Sequence, residues 1–200
     1  MLKGIVLKTN ETDMIEVWDN FRQGDNNAFS LLFESYLDTL YRYGMKFIHD
    51  EDFVKDCVQD LFIKLYNNRS SLSSTTNPKF YLLYSLKNMI IDALAKNKRI
   101  IYTSPENLPF IASLYYDTEE NNSDEEEIKE KFEKVLGMLN ARQKEAIYLK
   151  FQMGLSYEEI SQLLQINYQS ARNLIHRSIT KIRSIMDLPV FLIHFAYYYV

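Results

Sequence analysis

Few side chains in this 200-residue chain have the type and spacing to do covalent chemistry. A single cysteine, Cys57, excludes a disulfide framework and a multi-cysteine zinc site, and His49, His176 and His194 lie too far apart to group as metal ligands. No Walker loop, nucleophile elbow, His-Glu-x-x-His or Rossmann fingerprint occurs. The carboxylate pairs fall in an acidic tract and on the outer faces of predicted helices, where they are ordinary. Neither catalysis nor a cofactor or metal is expected. A different chemistry gathers near the C-terminus, where Gln169, Arg172, Asn173, His176, Arg177 and Lys181 share one face of a predicted helix. Cations and amides in such a row are the groups that bond phosphates and base edges.

Two short helices must position that row. Ser156 with Glu159 three residues on forms a capping box. Ile160, Leu163 and Leu164 then make one apolar stripe. Gln165-Ile166-Asn167 breaks the pattern, and Asn167 is a favoured cap for the next helix. That helix places Ala171, Leu174, Ile175, Ile179, Ile182 and Met186 opposite the basic face. Two helices with a tight turn between them, the second basic, match a helix-turn-helix. On periodicity and charge alone, a solvated or partner-binding face explains the row as well as DNA binding does.

Charge is segregated along the chain. The net value of −4 divides into two acidic and two basic blocks. Residues 67–100 carry six Lys and Arg against one acidic residue, and residues 142–200 carry seven against four. Residues 1–66 hold twelve acidic and seven basic side chains, and residues 101–141 hold ten and three. Two basic blocks around an acidic tract suggest two nucleic-acid surfaces.

The rest of the chain reads as helix. Five Gly and four Pro are few, and the apolar spacing is 3.6 residues throughout. A first helix carries Met14, Ile15, Val17, Trp18 and Phe21 and stops near Gly24. A second runs from about Asn26 to Ile48, its aromatics taken as core. Asp50 caps a third to about Tyr66, with Cys57 a small core residue. Asn67 to Pro78 is a polar Ser/Thr/Asn loop, and a fourth helix runs from Pro78 to about Arg99. Pro105, Pro109 and an acidic run from Asp117 mark 101–127 as a linker. A helix from Ile128 and another from Asn140, with Gln143 completing its capping box, support the helix-turn-helix. The apolar tail 188–200 is too short to span a bilayer and is expected to fold back on the C-terminal domain, with a docking segment the alternative.

At the level of wording, Leu155-Ser156-Tyr157-Glu158-Glu159-Ile160 and His176-Arg177 resemble the promoter-reading segment of bacterial sigma factors of the small extracytoplasmic-function (ECF) group. Asp56-Cys57-Val58-Gln59-Asp60-Leu61-Phe62 is similar to the family's polymerase-docking core. Tyr81-Leu82 through Lys87-Asn88-Met89-Ile90-Ile91-Asp92 resembles its downstream-element helix. Gln165 replaces a usual Gly, Leu174 a common Arg, and Tyr81 a common Trp. The resemblance implies an all-α fold of two small helical domains joined by an acidic flexible linker. Residues 11–100 would bind core polymerase and recognise and melt the minus-ten element. Residues 101–127 would be the linker, threading polymerase channels as a phosphate mimic or serving as a solvated spacer, and 128–187 would read the minus-thirty-five element.

Upstream DNA contacts would fall to Gln169, Ser170, Arg172, Asn173, His176, Arg177 and Lys181. Asn88, Asp92, Lys96 and Arg99 would lie along the separated strand, with the loop from Asn67 to Pro78 holding an unstacked base. Asp56, Gln59, Asp60 and Phe62 would meet polymerase. The implied partners are core RNA polymerase (its beta-prime clamp helices and beta flap), promoter DNA and an anti-sigma factor, in the cytoplasm. The competing readings are a response regulator, which needs a strand-helix receiver domain that the first hundred residues do not suggest, and a helical protein-binding adaptor.

Overall fold

The computed structural model describes residues 11–96, Phe110 and 123–199. Among these residues there are nine α-helices, one turn of 3-10 helix and no strand. The chain divides into two compact units, residues 1–45 with 50–99, and residues 46–49 with 100–200.

The first unit contains α1 (Glu11–Arg22), α2 (Asn26–Met45), α3 (Glu51–Asn67) and α4 (Pro78–Lys96). Gly24, at φ +102°, ends α1: its N–H reaches the Phe21 carbonyl and that of Asp25 reaches Asn20. Asp25 then caps α2 by accepting from the N–H groups of Asn27 and Ala28. Asp50 caps α3 as expected, accepting from Phe53 N–H at 3.0 Å. Helices α2 and α3 approach so closely at Gly44 that a Cβ there would lie 2.7 Å from Val54 Cγ1. Trp18, Phe21, Leu32, Leu40, Leu82, Leu86 and Ile90 are fully buried between the four helices. Each such side chain contributes roughly 1.5–3 kcal/mol on leaving water. Cys57 belongs to this core; its burial, and then the nearby Asp60 and Asp56 carboxylates, push the thiol pKa up to about 11. Lys87 of α4 is buried in spite of its charge. The last turn expected of α4, with Lys98 and Arg99, lies outside the described residues.

The second unit contains α5 (Ser123–Met138), α6 (Ala141–Phe151), α7 (Tyr157–Leu163), α8 (Tyr168–Arg183) and α9 (Leu188–Tyr199). Helix α5 begins five residues ahead of the expected Ile128, absorbing the end of the acidic run. The rest of that run, from Asp117, lies outside the described residues. Phe110 is buried with its ring 5.5 Å from Tyr148 of α6, so the stretch expected as a solvated linker contributes a core residue at this point. Both capping boxes form, at Asn140 with Gln143 and at Ser156 with Glu159. The C-terminal stretch folds back as α9, where Phe191 is fully buried with its ring 5.3 Å from Phe132 of α5.

The turn between α7 and α8 is tight because Gln165 adopts φ +53°. Its N–H bonds the Gln162 carbonyl while Ile166 N–H reaches Ser161, the paired closure that a left-handed residue makes after a helix. A side chain in this conformation costs roughly 1–2 kcal/mol, partly offset because glycine loses more entropy on folding. Gln165→Gly is therefore expected to stabilise the chain by up to about 1 kcal/mol, raising the melting temperature by about 4–8 °C in a domain of this size. Differential scanning calorimetry checks it; an unchanged or lower melting temperature contradicts the strain.

Candidate nucleic-acid interface

The direction of every polar group on α8 follows from what the helix buries. Ala171, Ile175, Ser178 and Ile182 turn inward. Ser178 can do so because its hydroxyl donates to the Leu174 carbonyl at 2.8 Å. Leu174 and Ile179, expected on the buried face, lie at its half-buried margins. Gln169, Arg172, Asn173, His176 and Arg177 are exposed along the opposite side, and Ser170 is half-buried. Asn167 caps the helix through Ser170 N–H at 2.7 Å, so the orphan amides that begin α8 stand beside the first of these groups.

Contacts within this face restrict how it can be read. Gln169 Nε2 donates to Asn173 Oδ1 at 3.2 Å, which engages the amide oxygen of Asn173 within the face. The Arg172 guanidinium lies 5.8 Å from the centre of the Tyr168 ring, and Tyr168 meets Tyr157 of α7 edge-on at 6.2 Å. The Lys150 ammonium lies 4.6 Å from the Tyr157 ring centre. A cation–ring–ring–cation row thus joins α6, α7 and α8 across the surface. Tyr157 and Tyr168 open their helices, and nothing in the spacing pointed to them.

Lys181 is placed differently from the expectation. Its ammonium donates to the Met138 carbonyl and to Gln143 Oε1, each at 3.0 Å. It therefore ties α8 to the end of α5 and the start of α6, where the carbonyl end of α5 attracts a cation. Arg142 forms a comparable latch, Nη2 donating to the Leu164 carbonyl at 2.6 Å.

In the first unit, Asn88 is half-buried and Asp92 exposed on α4; the structure describes the Lys96 backbone but not Arg99. The four residues expected on the protein-docking face separate. Asp56, Gln59 and Asp60 are exposed, whereas Phe62 is 3% exposed, edge-on to Phe33 at 4.8 Å and to Phe29 at 6.2 Å. Phe62 and Gln59 line a groove of about 1040 Å³ between α2 and α3, together with Phe33, Leu37, Tyr41 and Ile63. Asp56 and Asp60 are not among its lining residues. Among the described residues no group of His, Cys, Asp and Glu could hold a metal ion. No described helix is long and apolar enough to cross a membrane.

Two segments match family models, residues 32–100 that of Sigma-70 region 2 and residues 129–182 that of Sigma-70, region 4. The chain belongs to the sigma-70 family. It is an ECF-type sigma factor, a non-enzymatic protein of promoter recognition and transcription initiation by RNA polymerase. It is similar to the ECF RNA polymerase sigma factor SigX of Bacillus subtilis, at 23% identity over 80% of this chain and 84% of that one. The RNA polymerase sigma factor CarQ of Myxococcus xanthus is 24% identical over 84% of this chain and 94% of its own. The fold is shared with CnrH, solved in complex with the cytosolic domain of CnrY, with a TM-score of 0.55 at 18% identity over 85% and 94% of the two chains. It is shared as well with the sigma factor RpoE of Bartonella quintana, solved with the anti-sigma factor NepR, with a TM-score of 0.54 at 22% identity over 78% and 95%.

The region 4 match contains both the outward row of α8 and Lys181. Lys181→Ala would leave the Met138 carbonyl and the Gln143 amide short of a charged donor. It is expected to destabilise the second unit by about 1–3 kcal/mol, the cost of losing hydrogen bonds to a charged group. Arg177→Ala, on the exposed face, is expected to leave stability within about 0.5 kcal/mol. Urea denaturation of both variants checks the contrast; equal stabilities would return Lys181 to the DNA-facing set.

Proposed function

We propose that the outward row of α8 reads the upstream promoter element, with Arg172 and Asn173 on base edges and Gln169, Ser170, His176 and Arg177 beside them. The observation that carries this is the opposition on one helix. The stripe of Ala171, Ile175, Ser178 and Ile182 is buried, so Gln169, Arg172, Asn173, His176 and Arg177 face away from the core. A helix entering the major groove contacts bases with its first turns, where Arg172 and Asn173 lie. In this reading residues 11–100 bind polymerase and engage the downstream element, and 128–187 form the upstream reader. Asn88, Asp92, Lys96 and Arg99 track the separated strand, and the loop from Asn67 to Pro78 receives an unstacked base. The protein acts in the cytoplasm. An anti-sigma factor, the partner named in the Bartonella quintana structure, belongs to the same proposal.

Arg172→Ala is expected to cost about 1–3 kcal/mol at one preferred base pair and to relax selectivity there. Competition binding of the reconstituted holoenzyme to duplexes substituted base by base measures it. Uniform weakening at every sequence would reduce Arg172 to a phosphate contact.

Polymerase docking is proposed for the exposed Asp56, Gln59 and Asp60 and for the α2–α3 groove that Gln59 and Phe62 line. Phe62 acts there by shaping the groove, since little of it reaches solvent. A double change, Asp60→Lys with Gln59→Ala, is expected to abolish co-purification with core polymerase while the helical circular dichroism spectrum is kept. Retained co-purification would move the docking site elsewhere.

A further inference from the structure

Helix α1 precedes the segment that matches region 2, and none of its residues has been given a role of its own. Its contacts nevertheless converge on one place. Three successive residues of the α3–α4 loop are each held from α1 by a side-chain hydrogen bond. The Arg22 Nε–H donates to the Leu72 carbonyl at 2.7 Å. The Trp18 Nε1–H donates to the Ser73 carbonyl at 3.1 Å. The Ser74 hydroxyl lies 2.9 and 3.1 Å from the two Asp19 carboxylate oxygens and donates to them. The gripping groups also hold each other, since Arg22 Nη1 bonds Asp19 Oδ1 at 2.8 Å. These bonds to Arg22 and Ser74 keep the Asp19 carboxyl below its ordinary pKa.

The far side of the grip is equally fixed. Trp18 is fully buried, and its ring meets that of Tyr81, in the first turn of α4, at 5.0 Å. Within the loop, Asn77 N–H donates to Thr75 Oγ1 at 3.2 Å, and Asn77 Oδ1 accepts from Phe80 N–H at 3.0 Å. A Ser/Thr/Asn segment has almost no apolar side chain with which to order itself, so alone it would sample many conformers. The hydrogen bonds from α1 remove that freedom when the protein folds, before any nucleic acid arrives. The Ser73 and Thr76 side chains remain exposed on the tethered backbone.

We infer that Trp18, Asp19 and Arg22 are positioning residues that fix the shape of the α3–α4 loop, so that α1 sets which unstacked base of downstream promoter DNA the loop accepts. The inference rests on the proposed base-receiving role of that loop. A loop held from below by a separate helix discriminates by shape, because a base that does not fit must break the tethers.

The test uses holoenzyme and promoter duplexes substituted at each downstream position, with 2-aminopurine fluorescence reporting base unstacking. Trp18→Phe keeps an aromatic ring against Tyr81 while removing the donor to Ser73 and part of the buried ring volume; Arg22→Ala removes the donor to Leu72 and the partner of Asp19. Each is expected to lower discrimination between downstream bases about three- to tenfold, the weight of one hydrogen bond, while upstream-element binding is unchanged. Arg22→Lys, which retains a cationic donor, is expected to restore part of the loss. Wild-type discrimination in both Trp18→Phe and Arg22→Ala overturns the inference, and thermal melting of each variant shows that the first unit is folded. Replacement of Ser73 to Thr76 by glycine separates the two levels. If that change too leaves downstream preference intact, the loop is not the base receiver and the inference falls with it. If it abolishes preference while both α1 variants keep theirs, only the positioning role is lost.

Discussion

Burial of four residues on α8 is the constraint from which the second unit follows. Ala171, Ile175, Ser178 and Ile182 recur at helical spacing, so their burial fixes the rotation of the helix and with it the direction of Arg172, Asn173, His176 and Arg177. Two short helices cannot cover such a stripe alone. Helices α5 and α6 supply the rest, and two cationic latches, Lys181 onto Met138 and Gln143 and Arg142 onto Leu164, hold the assembly closed. The basic residues of this segment therefore do two kinds of work. Some face outward, and at least two are spent holding the domain together.

The first unit separates its tasks in a similar way. Helix α3 buries Val54, Cys57, Val58, Leu61 and Leu65, exposes Asp56 and Asp60, and gives Gln59 and Phe62 to a groove shared with α2. Helices α1 and α4 hold the polar loop between them, Trp18 touching both the loop backbone and Tyr81. The groove and the loop are thus built from different pairs of helices within one core, and Phe21, whose ring meets both Trp18 and the groove residue Phe29, joins them.

Much of this was legible in the residues. Local chemistry announced itself wherever one or two side chains decide the outcome: the boxes at Asn140 and Ser156, the caps at Asp50 and Asn167, and the stop at Gly24 all formed as read. Legibility failed where a side chain's partner is distant in sequence. Lys181 reads as one more cation on a basic helix until Met138 and Gln143, about forty residues earlier, claim it. Lys87 carries a charge and yet is buried, which its position beside the apolar set of α4 does not announce. Phe110, between two prolines' worth of linker and an acidic run, carries no periodicity to reveal its burial against Tyr148. The grip of α1 on Leu72, Ser73 and Ser74 spans some fifty residues and two carbonyl acceptors, and a carbonyl has no sequence signature at all.

Cys57 gives the division into two units a practical meaning. It is the only cysteine in the chain, it lies in the core of the first unit, and burial raises its pKa to about 11. A thiol so held is silent toward reagents until the helices around it part. Its reactivity is then a clock for opening of the first unit alone, since the second unit has no thiol to answer. The intact chain thus carries its own reporter of how often one half breathes, unconfused by the other and without any label being introduced.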